Sequence, residues 1–234
     1  GGTLEQVGMG ADADRALLVN GSSDYVSMGT STIFAFTTAF SAECWLKSTQ
    51  TGTGRFIVGR ANGGGRGWAV NLHSGTIRFW LYTIADALIV DLSTTGTYND
   101  GVWHHVVCTW DGTTAADKVI IYVDGVAVKT GTAVAGTPGQ DATLPMRIGF
   151  RSDDAAGTYL GATIDEVALY SAALSSTRVL AHYNSAQWTS LAADLSAQEP
   201  LTWARGMAAG GPLDRIALPF GQSLVIALRR RPVE

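Results

Sequence analysis

Apolar and polar residues alternate along many short segments of this chain. In residues 40–47 every second side chain is apolar, namely Phe40, Ala42, Cys44 and Leu46. Because successive side chains of a β-strand point to opposite faces, this spacing predicts a strand with one face in a core. The intervening side chains are expected on the other face: Ser41, Glu43, Trp45 and Lys47. The same reasoning predicts further strands at 16–20, 25–28, 55–60, 68–72, 76–82, 88–92, 104–111, 118–123 and 164–170.

Turn residues separate these predicted strands. Asp124-Gly125 stands between the apolar segments 119–123 and 126–129, and Asp-Gly readily takes the positive φ angles of a type I′ hairpin turn. One helix is predicted after Leu174, where Ser175 or Ser176 can cap a short segment that ends near Tyr183 and covers one end of the fold. The 28 glycines and the charged fraction of only 15% are typical of an all-β protein rich in tight turns.

Composition excludes several classes of function. The formal net charge is −4, so the chain lacks the basic excess of a nucleic-acid-binding domain. Its apolar runs are too short to span a bilayer, and its first residues lack the basic and apolar regions of a signal peptide. Cys44 and Cys108 have neither redox nor metal-ligand spacing. Buried free thiols are the favoured interpretation of these cysteines, and a disulfide is the alternative.

The sequence lacks the common catalytic and metal-binding motifs. It contains no Gly-x-Ser-x-Gly, His-Glu-x-x-His or phosphate-binding glycine loop with its lysine. The four histidines, at 73, 104, 105 and 182, do not have the spacing of a zinc site. Since His104 and His105 are adjacent on one strand, we expect one imidazole to face the core in a hydrogen bond and the other to lie on the sheet surface.

The order and spacing of several segments resemble the laminin G-like jelly roll of the concanavalin A-like lectin and glucanase superfamily over residues 16–187. The segments that carry the resemblance read ALLVNGSSDYVSM, FSAECWLKS, RFIVGR, GWAVNLHSGTIRFWL, GVWHHVVCTWDG, VIIYVDGVAVKTG, RIGF and GATIDEVALYSAALSSTRVLAHYN. The resemblance implies a two-sheet antiparallel jelly-roll β-sandwich with one short C-terminal helix. Residues 1–15 are then an N-terminal extension, and residues 188–234 an extended C-terminal arm.

Some relatives in this superfamily are glycosidases, which set two carboxyl groups at alternate positions of one strand. The comparable strand here carries Asp165 and Glu166, which are adjacent and therefore expected on opposite faces. No carboxylate stands two positions from either. We therefore expect a non-catalytic protein.

Calcium and glycans are the ligands that the resemblance implies. Asp24 and Asp165 are the candidate calcium ligands, and Asp153 and Asp154 form a second, weaker acidic loop. The alternative is that Asp24 stabilises its own turn and Asp165 pairs locally. No glycan-binding residue can be chosen from the sequence, because the strand aromatics that could form a platform are more often core residues: Trp68, Trp80 and Tyr82.

The C-terminal arm suggests attachment to other proteins. Its apolar strand-like segment includes Leu224, Val225, Ile226 and Leu228, and three arginines follow, Arg229, Arg230 and Arg231. Such a segment is expected to add to its own sandwich or to a neighbouring sheet, and the arginines either bind an acidic partner or form a solvated end. The first hypothesis is therefore a surface component of an assembly, such as a bacteriophage head or tail, with capsid or tail subunits, further copies of the chain and glycans as partners. A secreted or cell-surface lectin is the second hypothesis, and a glycosidase the third; these place the protein on a virion surface or outside the cell.

Overall fold

Two antiparallel sheets packed face to face make up most of the chain that can be described. The computed structural model describes residues 3–7, 15–63, 66–139 and 141–197. The strands are β1 (Thr3–Val7), β2 (Arg15–Asn20), β3 (Val26–Ser27), β4 (Phe40–Lys47), β5 (Arg55–Ala61), β6 (Gly67–His73), β7 (Thr76–Tyr82), β8 (Leu88–Ser93), β9 (Trp103–Trp110), β10 (Val119–Val123), β11 (Val126–Gly131), β12 (Arg147–Ile148) and β13 (Gly161–Tyr170). A 3₁₀ turn at Thr32–Phe34 and one helix, α1 (Ser176–Ala197), complete the described elements.

The sheets confirm the predicted all-β sandwich. One sheet has seven strands in the order β1-β2-β13-β4-β9-β10-β11, and the other has six in the order β3-β12-β5-β6-β7-β8. The last strand, β13, lies between β2 and β4 and is antiparallel to both. The strand β1 was not predicted: it lies within the expected N-terminal extension and pairs with β2. All of the strands belong to the first of two units into which the chain divides, Gly1–Ala193.

The main core lies between the two sheets. The four alternating apolar side chains of β4 are buried in it, as their spacing predicted. The ring of Phe40 is central, with centroids 5.3 Å from Trp68, 5.7 Å from Phe79 and 6.4 Å from Trp110. Burying a side chain of this size stabilises the fold by about 1.5–3 kcal/mol, so this cluster fixes how the sheets face each other.

The two cysteines are buried free thiols on the neighbouring strands β4 and β9. Burial, with the charge of Glu43, raises the pKa of Cys44 to about 12, and burial raises the pKa of Cys108 well above its usual value. Because the thiolate is the reactive form, both side chains act as small apolar core residues. The favoured interpretation is confirmed, and the disulfide is absent.

The second face of β4 is also largely buried, which the alternation did not predict. Helix α1 packs across it: the ring of Tyr183 stacks on Trp45 at 5.8 Å, and Val179 is buried against Val107 and Tyr122. The helix therefore covers the outer face of the seven-stranded sheet rather than one end of the sandwich. It is also longer than predicted, because it continues past residue 187, where the predicted domain ended, to Ala197.

A buried carboxylate joins the helix to the sheet. Glu43 Oε1 accepts a hydrogen bond from His105 Nε2 at 2.7 Å and another from His182 Nδ1, on the helix, at 2.9 Å. Burial alone would raise the pKa of Glu43, but hydrogen bonds from His105, Tyr170 and His182 outweigh burial and hold that pKa below its ordinary value. Burial and the same hydrogen bond raise the pKa of Tyr170 to about 12.

The two adjacent histidines point to opposite faces, as predicted, but both are buried. His104 lies on the core side, beside Leu46 of β4, and its Nδ1 is 2.8 Å from Asp124 Oδ2 while its Nε2 is 3.2 Å from Asp100 Oδ1. The hydrogen bond to Asp124 is the largest cause that raises the pKa of His104, and the carboxylate of Asp100 raises it further. The prediction that the other imidazole lies on an open surface was wrong, because α1 covers His105.

The predicted hairpin turn and helix cap are both confirmed. Asp124 and Gly125 have φ angles of 51° and 78°, and they join Val123 to its partner Val126. Asp124 Oδ1 also accepts a hydrogen bond from the backbone N–H of His105 at 2.9 Å. Ser175 is the residue that caps α1, since its Oγ accepts a hydrogen bond from the backbone N–H of Arg178 at 3.3 Å.

Gly125→Val should destabilise the fold strongly. A β-branched residue resists the positive φ, and an added Cβ would lie 2.9 Å from Leu180 Cδ1 and 3.1 Å from Tyr183 Cδ1 on the helix. We expect the free energy of unfolding to fall by about 2–4 kcal/mol, measured by thermal or urea denaturation. Gly63→Ala is the control, because only the mobile end of the Arg151 side chain must move there. Equal melting temperatures for the two variants would contradict the hairpin assignment.

Glu43→Gln should remove an acid-sensitive part of the stability. Because its folded pKa is below the ordinary value, ionised Glu43 stabilises the fold above about pH 4.3, and this contribution disappears as the pH falls through the lower folded pKa. At pH 7 the variant should be less stable by about 1–3 kcal/mol, and the two melting curves should converge as the pH falls through the lowered folded pKa. Asp117→Asn, at an exposed position where the amide oxygen can still accept the hydrogen bond from Thr130 Oγ1, should follow the wild type throughout. Parallel curves for wild type and Glu43→Gln would show that the network does not stabilise the fold.

Candidate ligand-binding cleft

A cleft of 510 Å³ opens at the end of the seven-stranded sheet where β4 ends and β13 begins. The loops that follow β2 and β4 and the loop that precedes β9 meet there. Its walls are formed by Leu18, Val19, Asn20, Gly21, Lys47, Ser48, Thr49, Gln50, Gly101, Gly161, Ala162 and Thr163. Sites for small organic ligands have volumes of about 300–1,000 Å³, so the cleft is large enough for one.

One side chain, Gln50, holds one wall of the cleft in place. Its Nε2 donates a hydrogen bond to the Tyr159 carbonyl at 3.2 Å, and its Oε1 accepts one from the backbone N–H of Gly161 at 2.7 Å. Its own carbonyl accepts a hydrogen bond from Asn99 Nδ2 at 3.2 Å. Gln50 therefore joins three loops that are far apart in the sequence, and this part of the cleft is formed before any ligand arrives.

Ser48 and Gly21 fix the wall where β2, β4 and β13 meet. Ser48 Oγ donates a hydrogen bond to the Gly161 carbonyl at 2.7 Å, and the Ser48 carbonyl accepts one from the N–H of Gly101 at 3.0 Å. Gly21 has a φ of 76°, and a Cβ added there would lie 3.2 Å from the Cα of Gly161. Glycine is required at position 21 for this conformation and this close approach of the two chains.

The rim of the cleft beside β2 is an ordered turn. Asn20 Oδ1 accepts hydrogen bonds from the backbone N–H groups of Ser22, Ser23 and Asp24, at 2.9, 2.9 and 3.2 Å. This is the local arrangement that asparagine side chains favour in turns. The Asn20 side chain thus shapes the rim rather than projecting freely into it.

A row of four residues on the outer face of the sheet runs along one edge of the cleft. The register pairs Leu18 with Thr163, Thr163 with Lys47 and Lys47 with Trp103. Lys47 is exposed and Trp103 is partly exposed, and this indole extends the row beyond the lining residues. A hydroxyl, an ammonium and an aromatic ring therefore lie side by side along one edge of the cleft.

No carboxylate lines this cleft, and Lys47 is the one charged side chain among its lining residues, all of which the structure describes. The nearby acidic pair of β13 does not provide alternate carboxylates on one face either. A β-bulge follows Asp165, whose Oδ1 accepts a hydrogen bond from the N–H of Glu166 at 3.0 Å, and Glu166 has a φ of 49°. The cleft therefore lacks the acid and nucleophile pair of a retaining glycosidase.

The predicted calcium ligands Asp24 and Asp165 are not brought together. Asp165 lies opposite Trp45 within β13, whereas Asp24 lies in the loop that leaves β2 beside Gly161. Asp165 is four positions further along β13 than Gly161, about 13 Å away. Calcium at Asp24 or at Asp165 stays a prediction.

The second acidic loop is ion-paired. Asp153 Oδ1 is 2.6 Å from Arg151 Nε, and Asp154 Oδ1 is 2.6 Å from Arg147 Nη1. Burial alone would raise the pKa of Asp153, but Arg151 and the N–H of Gly63 outweigh burial and lower that pKa. Within residues 3–7, 15–63, 66–139 and 141–197, no group of three or more His, Cys, Asp or Glu side chains is arranged to bind a metal ion.

The aromatic residues of the six-stranded sheet are packing residues, as their positions on strands predicted. Trp68 is buried in the main core, where its ring packs against Phe36 and Phe40. Trp80 is buried on the other face of that sheet, with its ring edge-on to Phe56 and Tyr82. None of the three predicted aromatics lines the cleft.

The predicted assembly residues of the arm, from Leu224 to Arg231, lie outside the described residues. Their attachment role stays a prediction. In the part of the chain that is described, no helix combines the length and the apolar character needed to cross a membrane.

Sequence reasoning missed the residues that form the cleft. Lys47 was predicted only to face away from the core, and Ser48, Gln50 and Gly161 were not singled out. The alternation that identified β4 does give the outward direction of Lys47. The contacts of Gln50 could not be found in this way, because they join positions 109 and 111 residues away.

A family model described as the concanavalin A-like lectin/glucanases superfamily matches residues 20–180 of the chain. No curated protein sequence matches it. The match covers the six-stranded sheet, five of the seven strands of the other sheet and all the residues that line the cleft except Leu18 and Val19.

Several solved structures share the fold. The binding domain of botulinum neurotoxin DC in complex with SialylT gives a TM-score of 0.59 at 15% identity, over 81% of this chain and 46% of that one. Domain 4 of AbnA, an extracellular arabinanase from Geobacillus stearothermophilus, in complex with arabinotriose, gives a TM-score of 0.56 at 20% identity, over 77% of this chain and 81% of that one. Trypanosoma rangeli sialidase gives a TM-score of 0.55 at 20% identity, over 79% of this chain and 29% of that one. This chain thus spans less than half of the neurotoxin domain and of the sialidase, and identities this low show the fold alone.

Gln50→Leu should destabilise the loops around the cleft, whereas Lys47→Met should leave stability unchanged. Leucine cannot replace the two side-chain hydrogen bonds, and the N–H of Gly161 would lose its partner at a cost of about 1–3 kcal/mol. Lys47 is exposed, so its removal should change the free energy of unfolding by less than about 0.5 kcal/mol. Urea denaturation measures both values. A Gln50→Leu variant as stable as the wild type would show that the wall does not depend on this side chain.

Proposed function

The chain belongs to the concanavalin A-like lectin/glucanases superfamily, and from that premise we propose that it is a non-catalytic saccharide-binding module whose ligand site is the cleft beside Lys47. The fold is lectin-like. The observation that carries the proposal is the composition of the cleft. Its walls are held by polar side chains, a partly exposed indole lies at its edge, and no carboxylate is among its lining residues.

Saccharides match this composition. A sugar ring presents hydroxyl groups, which donate and accept hydrogen bonds, and an apolar face, which packs on an aromatic ring. In the proposed complex the hydroxyl of Thr163 and backbone groups of the rim bind sugar hydroxyls, and Trp103 packs against a ring. The hydrogen bonds of Ser48 and Gln50 already fix the walls, so little conformational entropy is lost on binding.

Two of the similar structures support a saccharide as the class of ligand. The neurotoxin domain was solved with SialylT, and the arabinanase domain with arabinotriose. The sialidase among them is the reason to test for hydrolysis as well. The non-catalytic part of the proposal rests on the lining of the cleft, which offers no carboxyl group to act as the acid or nucleophile of a glycosidase.

The assembly hypothesis is retained as a proposal of a different kind. A surface component of a particle, such as a phage head or tail, needs an attachment segment, and residues 188–234 were proposed for that task. Saccharide binding by the sandwich is compatible with such a component and with a free lectin. The calcium proposal for Asp24 or Asp165 is likewise separate from the cleft, whose lining contains neither residue.

Thr49→Trp should abolish saccharide binding without unfolding the protein. Thr49 is exposed on the cleft wall beside Gly101, so an indole there would occupy the space of the ligand. The matched control is Thr114→Trp, an equally exposed threonine in the loop before β10. Binding is measured on an array of neutral and acidic glycans, with added calcium and with a chelator, and release of reducing sugar is measured alongside. The wild type and the control should bind a subset of glycans and the cleft variant none, with no sugar released. Equal binding by Thr49→Trp would place the site elsewhere.

A further inference from the structure

We propose that the cleft selects acidic saccharides, and that the ammonium of Lys47 binds a carboxylate or sulfate group carried on the sugar. This inference rests on the proposed function and names the class of ligand for the same site. It follows from the state of one side chain and from the charges around it.

The position of Lys47 directs its ammonium to the ligand. Lys47 is the last residue of β4 and faces outward, between Thr163 on β13 and Trp103 on β9. The rest of that face of β4 lies beneath α1, so Lys47 is its exposed end. Its side chain forms no ion pair with any described residue. The ammonium therefore keeps three donors for a bound molecule.

Apart from Lys47, the residues that line the cleft carry no charge. Ser48 and Gln50 use their side-chain atoms to bind the walls, and Asn20 Oδ1 is used by the turn. The carboxylate in the next row of the same face belongs to Asp165, which lies opposite Trp45 and accepts a hydrogen bond from the N–H of Glu166. The lining thus contains one positive charge and no negative charge.

This imbalance determines which saccharides bind well. A neutral sugar can hydrogen-bond the hydroxyl of Thr163 and pack on the ring of Trp103. It offers no anionic group to the ammonium of Lys47, which then stays hydrated. A sugar with an anionic group beside the stacked ring also gains a charge-assisted hydrogen bond, which is stronger than a neutral one. Lysine acts as a point charge and does not require the planar geometry of a carboxylate, so sulfate esters satisfy it too.

The experiment compares three probes by isothermal titration: an oligogalacturonate, the same oligosaccharide after reduction of its carboxyl groups, and a sulfated galactan oligosaccharide of similar length. The protein is the full chain as wild type, Lys47→Met, Lys47→Arg and Lys118→Met. Lys118 is also exposed, but it precedes β10 at the opposite end of the sheet and is the matched control.

The wild type and Lys118→Met should bind one or both acidic probes at least about 10-fold more tightly than the carboxyl-reduced probe. Lys47→Met should lose that preference, Lys47→Arg should keep most of it, and added salt should reduce it, since exposed charges are screened. The relative affinities of the galacturonate and the sulfated probe distinguish a carboxylate ligand from a sulfate ligand.

Two results would overturn the inference. If the carboxyl-reduced probe binds wild type as tightly as the acidic probes, or if Lys47→Met keeps the preference, Lys47 does not select anions, while saccharide binding in the cleft stands as long as Thr49→Trp removes it. If no saccharide binds to the wild type on the array or by titration, the proposed function fails, and the inference with it.

Discussion

Antiparallel pairing holds β13 between β2 and β4, and this pairing positions both the cleft and the helix that covers the sheet. The first residues of β13, Gly161 to Thr163, form part of the cleft. Its last residue, Tyr170, hydrogen-bonds the buried Glu43, and the chain then continues into α1. One strand thus connects the candidate ligand site to the helix that covers the sheet. The bulge after Asp165 lies between these two regions and resets the register of the strand.

Two kinds of interaction hold the helix on the sheet, and they differ in what they determine. The contacts of Val179 and Tyr183 with the outer face remove apolar surface from water and supply most of the stabilisation. A buried charge with its hydrogen-bond partners adds little net stability compared with an apolar replacement, but it tolerates few alternative arrangements. Glu43 therefore fixes the position of His182, and with it the position of the helix.

The sequence predicted the strands well because alternation records directly which face of a strand is buried. It identified both residues of the β10–β11 turn and the cap of α1 for the same reason, since turns and caps depend on a few adjacent residues. It did not reveal that Glu43 and Trp45 are buried, because a covering helix far along the chain leaves no local signal on β4. The cleft was missed for the same reason. The alternation indicated that Lys47 points away from the core, but the partners of Gln50 depend on the completed topology.

The long reach of Gln50 has a consequence for how the protein acquires its binding site. Gln50 and Gly161, which hydrogen-bond each other, are separated by 111 positions. The wall therefore exists only after nearly all of the sandwich has been assembled. Contacts of such sequence separation form slowly and late in folding. A growing chain on the ribosome therefore carries no competent cleft until its final strand has emerged. The proposed recognition of a saccharide is therefore a property of the finished domain.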